Sequence, residues 1–155
     1  METWGGFAQD APELAEAGQT LLNQFGIGLA FLATVRKDGG PRVHPVCPIL
    51  CRSRLYVFVS SESPKKWDLL RGGRYALHTF LPSDGEDESF YCSGVVRPVE
   101  TLAERDEVRG AARHPVRADE VLFELLLERA LHTTWENWGT PHTRPGYRRW
   151  SSATA

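Results

Sequence analysis

From Ile27 to Val35 the chain is almost wholly apolar; it breaks at Lys37-Asp38-Gly39-Gly40 and resumes as an extended run from Arg42 to Arg52. Two such runs around an Asp-Gly-Gly turn predict a β-hairpin. Pro45 and Pro48 each remove a backbone donor, so the second strand is expected to be an edge or locally irregular. Arg54 to Ser60 reads as a third strand, Arg74 to Leu81 as a fourth and Ser89 to Val99 as a fifth, with an acidic turn over Pro82 to Glu88. The apolar stretch Val121 to Thr134 fits a buried strand or an apolar helix by pattern, and its β-rich surroundings assign it as the sixth strand.

Three segments carry helix signals. Asp10-Ala11-Pro12-Glu13 reads as a helix start, with Asp10 as the cap, and Leu14, Ala17, Leu21 and Phe25 follow near helical spacing until Gly26 and Gly28. Ser63-Pro64 opens a short helix that Gly72 is expected to stop. Thr101-Leu102-Ala103-Glu104 is a capping box, opening a helix to about Arg113 before His114-Pro115. Together these predict a mainly β, α+β architecture: a small six-stranded antiparallel barrel with peripheral helices. The expected organisation is one domain over residues 1–155, with a helical lead-in over 1–25 and an aromatic tail over 135–155.

Composition narrows the classes without changing that picture. With 155 residues, 41% hydrophobic and 25% charged, the chain is neither disordered nor fibrous. Its longest apolar run falls far short of the roughly 20 residues a spanning helix needs, so no membrane partner is expected. Residues 1–10 lack a basic segment followed by an apolar core, so no secretory signal is expected. Three cysteines, an odd number, fit a reducing cytoplasm better than a disulfide framework. Five tryptophans include Trp135, Trp138 and Trp150 near the C-terminus, which predicts that the tail packs against something.

Net charge is −2, unevenly distributed. Residues 36–74 are locally +6 and residues 84–128 locally −7, while residues 1–35 hold four acids and no base. That balance argues against a nucleic-acid partner, which calls for a continuous basic face. The basic segment reads either as a solvated surface or as a confined anion site. The second reading has a motif behind it: a strand ends at Val59, Ser60, Ser61 and Ser63 follow, and Lys65 sits in the first turn of the next helix. Helix N-termini present free N–H groups and a positive dipole end, which suit a phosphate. His44, Cys47 and Cys51 do not make a metal site on strand parity, because His44 points away from both cysteines unless Pro45 or Pro48 introduces a bulge. No Cys-x-x-Cys, His-Glu-x-x-His, Gly-x-Ser-x-Gly, Walker loop or Gly-x-Gly-x-x-Gly motif occurs.

Taken in order, Phe31-Leu32-Ala33-Thr34-Val35, Asp38-Gly39-Gly40-Pro41, Val43-His44-Pro45-Val46, Leu55-Tyr56-Val57-Phe58, Ser63-Pro64-Lys65 and Leu69-Leu70-Arg71 resemble the pyridoxamine 5′-phosphate oxidase-like family, the FMN-binding split barrels and their deazaflavin relatives. The resemblance covers about residues 20–134. It implies a split-barrel homodimer with FMN in an interface groove, acting as an oxidoreductase on a small-molecule substrate. It places Val43, Pro45 and Val46 against the flavin ring. It puts His44 where many relatives have an arginine on the phosphate, and the phosphate itself at Ser60, Ser61, Ser63 and Lys65. Deazaflavin F420 is the alternative cofactor, with Arg42, Lys66 and Arg71 available to a longer acidic tail. A non-catalytic flavin- or haem-binding protein is the alternative class. Two departures stand out. Asp68 takes a position where relatives often carry asparagine, an acid near a dianionic phosphate unless it turns away or pairs with Arg71. The tail Arg144 to Trp150 lacks the Arg-x-His pattern of the vitamin B6 oxidases, so true pyridoxamine-phosphate oxidation is not expected.

Overall fold

A computed structural model describes residues 1–82 and 88–153. Helices α1 (Trp4–Asp10) and α2 (Pro12–Asn23) precede strands β1 (Ala30–Val35), β2 (Pro41–Val46), β3 (Ile49–Cys51) and β4 (Arg54–Val59). Helix α3 (Pro64–Gly72), β5 (Arg74–Thr79), β6 (Glu88–Pro98), α4 (Leu102–Ala111), β7 (Val121–Glu136) and β8 (Arg144–Ser151) complete the chain. The expected acidic turn over Pro82 to Glu88 lies for the most part outside the described residues.

All eight strands join one antiparallel sheet in the order β2-β1-β5-β6-β7-β4-β3, with β8 added to β7. β2 and β3 sit at opposite ends of that hydrogen-bonded path, yet only Cys47 and Pro48 separate them in the chain. Three Cα steps from Val46 to Ile49 span at most about 11 Å. The sheet must therefore curl until its two ends nearly meet, a barrel with one unzipped seam. Gly28 packs against that link so closely that an added Cβ would lie 1.8 Å from the Pro48 carbonyl oxygen.

Six expected strands become eight for two physical reasons. The run from Arg42 to Arg52 is divided, because Pro48 has no N–H to continue the ladder with β1 and the chain crosses the seam there. The tail forms an added edge strand, β8, paired with the second half of the long β7. Pro145 and Gly146 sit in β8, which an edge tolerates. The assignment of Val121 to Thr134 as strand agrees with β7.

The helical lead-in is two helices, not one. Asp10, expected to cap α2, is the last residue of α1, and Ala11 forms the junction. The helix α1 begins at Thr3, whose Oγ1 accepts from Gly6 N at 3.2 Å. It docks on the β3–β4 turn through Gly5 N donating to Ser53 O at 2.7 Å. A Cβ at Gly5 would lie 2.9 Å from the Ser53 Cβ, so the close approach requires glycine. α3 stops at a left-handed Gly73 (φ 64°) rather than at Gly72. α4 ends at Ala111, short of Arg113.

The barrel interior is filled by Leu32, Leu55, Val57, Leu77, Phe90, Phe123, Leu125 and Leu127, all but sealed from solvent. Trp4, Phe7 and Trp150 extend it: the Phe7 ring lies 5.2 Å from Trp4 and 5.0 Å from Trp150. The C-terminal strand is thereby anchored on the N-terminal helix. β4 is buried on both faces. Leu55, Val57 and Val59 enter the main core, while Tyr56 and Phe58 join Ile49, Val99, Val108 and Leu122 in a smaller core beneath α4. The capping box expected at Thr101 does not form: Thr101 makes no side-chain cap, and Glu104 instead accepts from the Tyr56 hydroxyl at 2.8 Å and from Arg97 at 2.9 Å. Arg97 also reaches the buried Glu124 at 2.7 Å.

Candidate functional site

Of the two segments singled out in the sequence, Val43 to Val46 lies on β2 and Ser60 to Lys65 leads from β4 into α3. The Lys65 ammonium and the Cys47 thiol both lie within the electrostatic reach of Glu120. Lys65 is half-buried, and burial pushes its pKa below the ordinary lysine value, partly offset by Glu120. Among the described residues it donates to no carboxylate and no carbonyl. Lys65 is thus a half-buried cation one turn into a helix, with Glu120 near enough to act on it electrostatically but, among the described residues, with no ion pair or hydrogen bond of its own.

The three serines differ. Ser63 caps α3 by position, but its side chain makes no capping hydrogen bond, so its hydroxyl is available. Ser60 Oγ accepts weakly from Glu62 N at 3.4 Å and keeps its own proton to donate. Ser61 donates to Asp119 at 2.9 Å. Asp119 is itself held by Arg117, and Glu120 accepts from Arg117 N at 3.1 Å. This loop, far from Ser61 in sequence, was invisible to motif reading. It carries negative charge close to Lys65.

On β2, Val43 and Pro45 face outward opposite Ala33 and Phe31 of β1, and Val43 is 58% exposed. Phe31 stacks on Phe80 with ring centroids 4.1 Å apart, and Phe25 meets Phe80 edge-on at 6.3 Å. Val43, Pro45 and Phe31 thus form an exposed apolar face at the sheet edge. His44 and Val46 point the other way. His44 is exposed at the sheet edge, and Val46 is buried in the main core, away from the outward face.

Asp68 resolves one of the departures seen in the sequence. It is 5% exposed and accepts from Arg42 Nε at 2.8 Å, Thr34 Oγ1 at 2.9 Å and Arg71 Nη2 at 3.0 Å. Burial alone would raise its pKa; the three donors outweigh burial and hold the carboxyl below the usual aspartate value. Asp68 thus ties α3 to β1 and β2 and neutralises two of the three bases expected for a longer acidic cofactor. The third, Lys66, lies 3.9 Å over the Trp67 ring. A hollow of about 570 Å³ between the β1–β2 turn and α3 is lined by Arg36, Arg42, Trp67 and Asp68. Its arginines are already engaged by Asp38 and Asp68.

No protein-family model matches the chain, and no curated protein does. Solved structures do. A haem-binding protein from Mycobacterium smegmatis aligns with a TM-score of 0.59 at 17% identity, over 84% of this chain and 57% of that one. This chain therefore spans little more than half the length of that protein. A candidate pyridoxamine 5′-phosphate oxidase from Listeria innocua aligns with a TM-score of 0.57 at 14% identity, over 72% of this chain and 91% of that one. The chain has the split-barrel fold. An F420 reductase shares it, with a TM-score of 0.52 at 19% identity over 66% of this chain and 87% of that one. The seam between β2 and β3 is the split of this barrel. No helix among the described residues is long and apolar enough to cross a membrane. None of their His, Cys, Asp and Glu side chains form a group of three able to hold a metal ion.

Proposed function

We propose that this split barrel is an FMN-dependent oxidoreductase that works as a homodimer on a small-molecule substrate in a reducing cytoplasm. The observation that carries the reading is Lys65: a half-buried ammonium at a helix entry that, among the described residues, makes no ion pair or hydrogen bond. Lys65, Ser63 and Ser60 would hold the phosphate, with Ser61 joining if its hydroxyl leaves Asp119. Val43 and Pro45 would lie against the ring, and His44 at the strand edge would approach the phosphate side. Val46 supports them from the core.

FMN suits the site better than F420, because Asp68 has already taken Arg42 and Arg71. When bound, FMN supplies hydride and electron transfer, so the protein needs no acid–base pair of its own. The residues of this chain bind, orient and exclude water: Lys65 balances phosphate charge, and the face of Val43, Pro45 and Phe31 leaves little polar surface to compete. The Phe25, Phe31 and Phe80 cluster is the surface a second copy would cover, consistent with two-fold pairing.

Purification tests the reading. A yellow protein that releases FMN is expected. A colourless protein that binds neither added FMN nor F420 would overturn it.

A further inference from the structure

Nearly every arginine in this protein is engaged. Of the fifteen, all but three donate to a carboxylate or a carbonyl oxygen. The three without such a partner among the described residues are Arg129, Arg144 and Arg149, and all stand on the β7–β8 hairpin. The acids near Arg129 and Arg149 are committed elsewhere: Glu128 pairs with Arg74 at 2.8 Å and Glu13 with Arg148 at 3.0 Å, while Glu88 meets His132 at 2.6 Å.

Register sorts the three by face. Arg129 lies opposite Ser151 and Arg149 opposite Leu131, so both project from the outward face as diagonal neighbours. Arg144 lies opposite Glu136, on the other face. Diagonal side chains on one face are about 7–8 Å apart at their Cα atoms, within reach of one another when they are long. One anion between the two guanidiniums can therefore accept from both. The surface is shaped for one. A hollow of about 370 Å³ is lined by Arg129, Arg149, Tyr91, Leu131 and Trp150. Tyr91, Leu131 and Arg149 form one cross-strand row, so a flat apolar floor runs directly into a guanidinium. Arg149 is steadied by the Tyr147 ring, 4.6 Å from its guanidinium carbon.

We propose that this hollow binds a small aromatic carboxylate, with the carboxylate between Arg129 and Arg149 and the ring on Tyr91 and Leu131. A planar guanidinium fork matches a carboxylate in two-point geometry, and aromatic rings gain from offset stacking. The volume, near the lower end for ligand pockets, suits a molecule of one or two rings. A nucleic acid is disfavoured, since two cations around one hollow do not make a continuous phosphate track. The site shares no residue with β2 or α3 and stands whether or not the protein binds flavin.

Calorimetric titration with 2-naphthoate, its neutral amide 2-naphthamide and inorganic phosphate tests the proposal, with the Trp150 indole resonance followed by NMR. Expected are saturable binding of 2-naphthoate with a shifted Trp150 signal and no binding of the amide. Phosphate should bind at least about tenfold more weakly, since it cannot use the apolar floor. Arg129→Gln and Arg149→Gln should each weaken 2-naphthoate at least about tenfold, as expected for charge-assisted contacts, and the double variant should not bind while its thermal midpoint stays level or rises. Three results would overturn the proposal: equal binding of the amide, naphthoate binding retained in the double variant, or sedimentation showing that the double variant loses a dimer, which would make this face a subunit interface.

Discussion

Helix α3 carries two charged residues one turn apart, Lys65 and Asp68, and the fold uses them in opposite ways. Asp68 is buried with three donors from two strands and its own helix. Lys65 is half-buried, and among the described residues it has no donor–acceptor partner at all. An acid at Asp68 looked like an obstacle to phosphate. It is a structural clasp that absorbs Arg42 and Arg71, whereas Lys65 stays outside it and is the cation proposed for the phosphate. Charge near a groove says little about ligands until the charges already committed to the fold are removed from the count.

The largest effect expected is on stability. Asp68→Ala removes the acceptor shared by Thr34, Arg42 and Arg71 and should cost about 2 kcal/mol, the range for hydrogen bonds to a charged group, read by urea unfolding. Lys65→Ala should change stability by less than about 0.5 kcal/mol while lowering FMN affinity at least about tenfold. If both variants lose stability alike, the two residues are not functionally distinct.

Acid titration sharpens the contrast. The Asp68 pKa is lowered in the folded protein, so its contribution is present above the unfolded aspartate value, near 3.9. It is lost as pH falls through the lower folded value. Unfolding free energy of the wild type should therefore decline through that acid window, and Asp68→Asn should flatten the decline. Arg71→Ala should cost less than Asp68→Ala, about 0.5–1 kcal/mol, since the 41% exposed Arg71 is screened by solvent. The smallest effect concerns the thiols. Burial pushes the Cys92 pKa up to about 12, so Cys92 should stay unmodified by a thiol reagent at neutral pH until the protein unfolds.

Local signals carried much of the fold. The Lys37 to Gly40 turn, the Ser63-Pro64 helix entry and the strand assignment of Val121 to Thr134 depend on neighbours in sequence. What was missed depends on contacts far along the chain. α1 is hidden by Gly5 and Gly6, poor helix formers, and Gly5 is needed because α1 rests on Ser53. β8 shows no alternation because most of its residues are exposed on both faces, and only pairing with β7 makes it a strand. In the candidate site, Lys65 and Ser63 follow from the helix entry. The Asp119 contact to Ser61 and the Asp68 clasp do not, because each joins segments that only the closed barrel brings together.

The most direct test is a fluorescence titration of FMN into cofactor-free protein, wild type beside Lys65→Ala, at neutral pH and low salt. The account predicts saturable quenching of flavin fluorescence for the wild type and a dissociation constant at least about tenfold higher for Lys65→Ala, with unchanged unfolding midpoints. Equal affinities in the two proteins, or no flavin binding by the wild type, would contradict it.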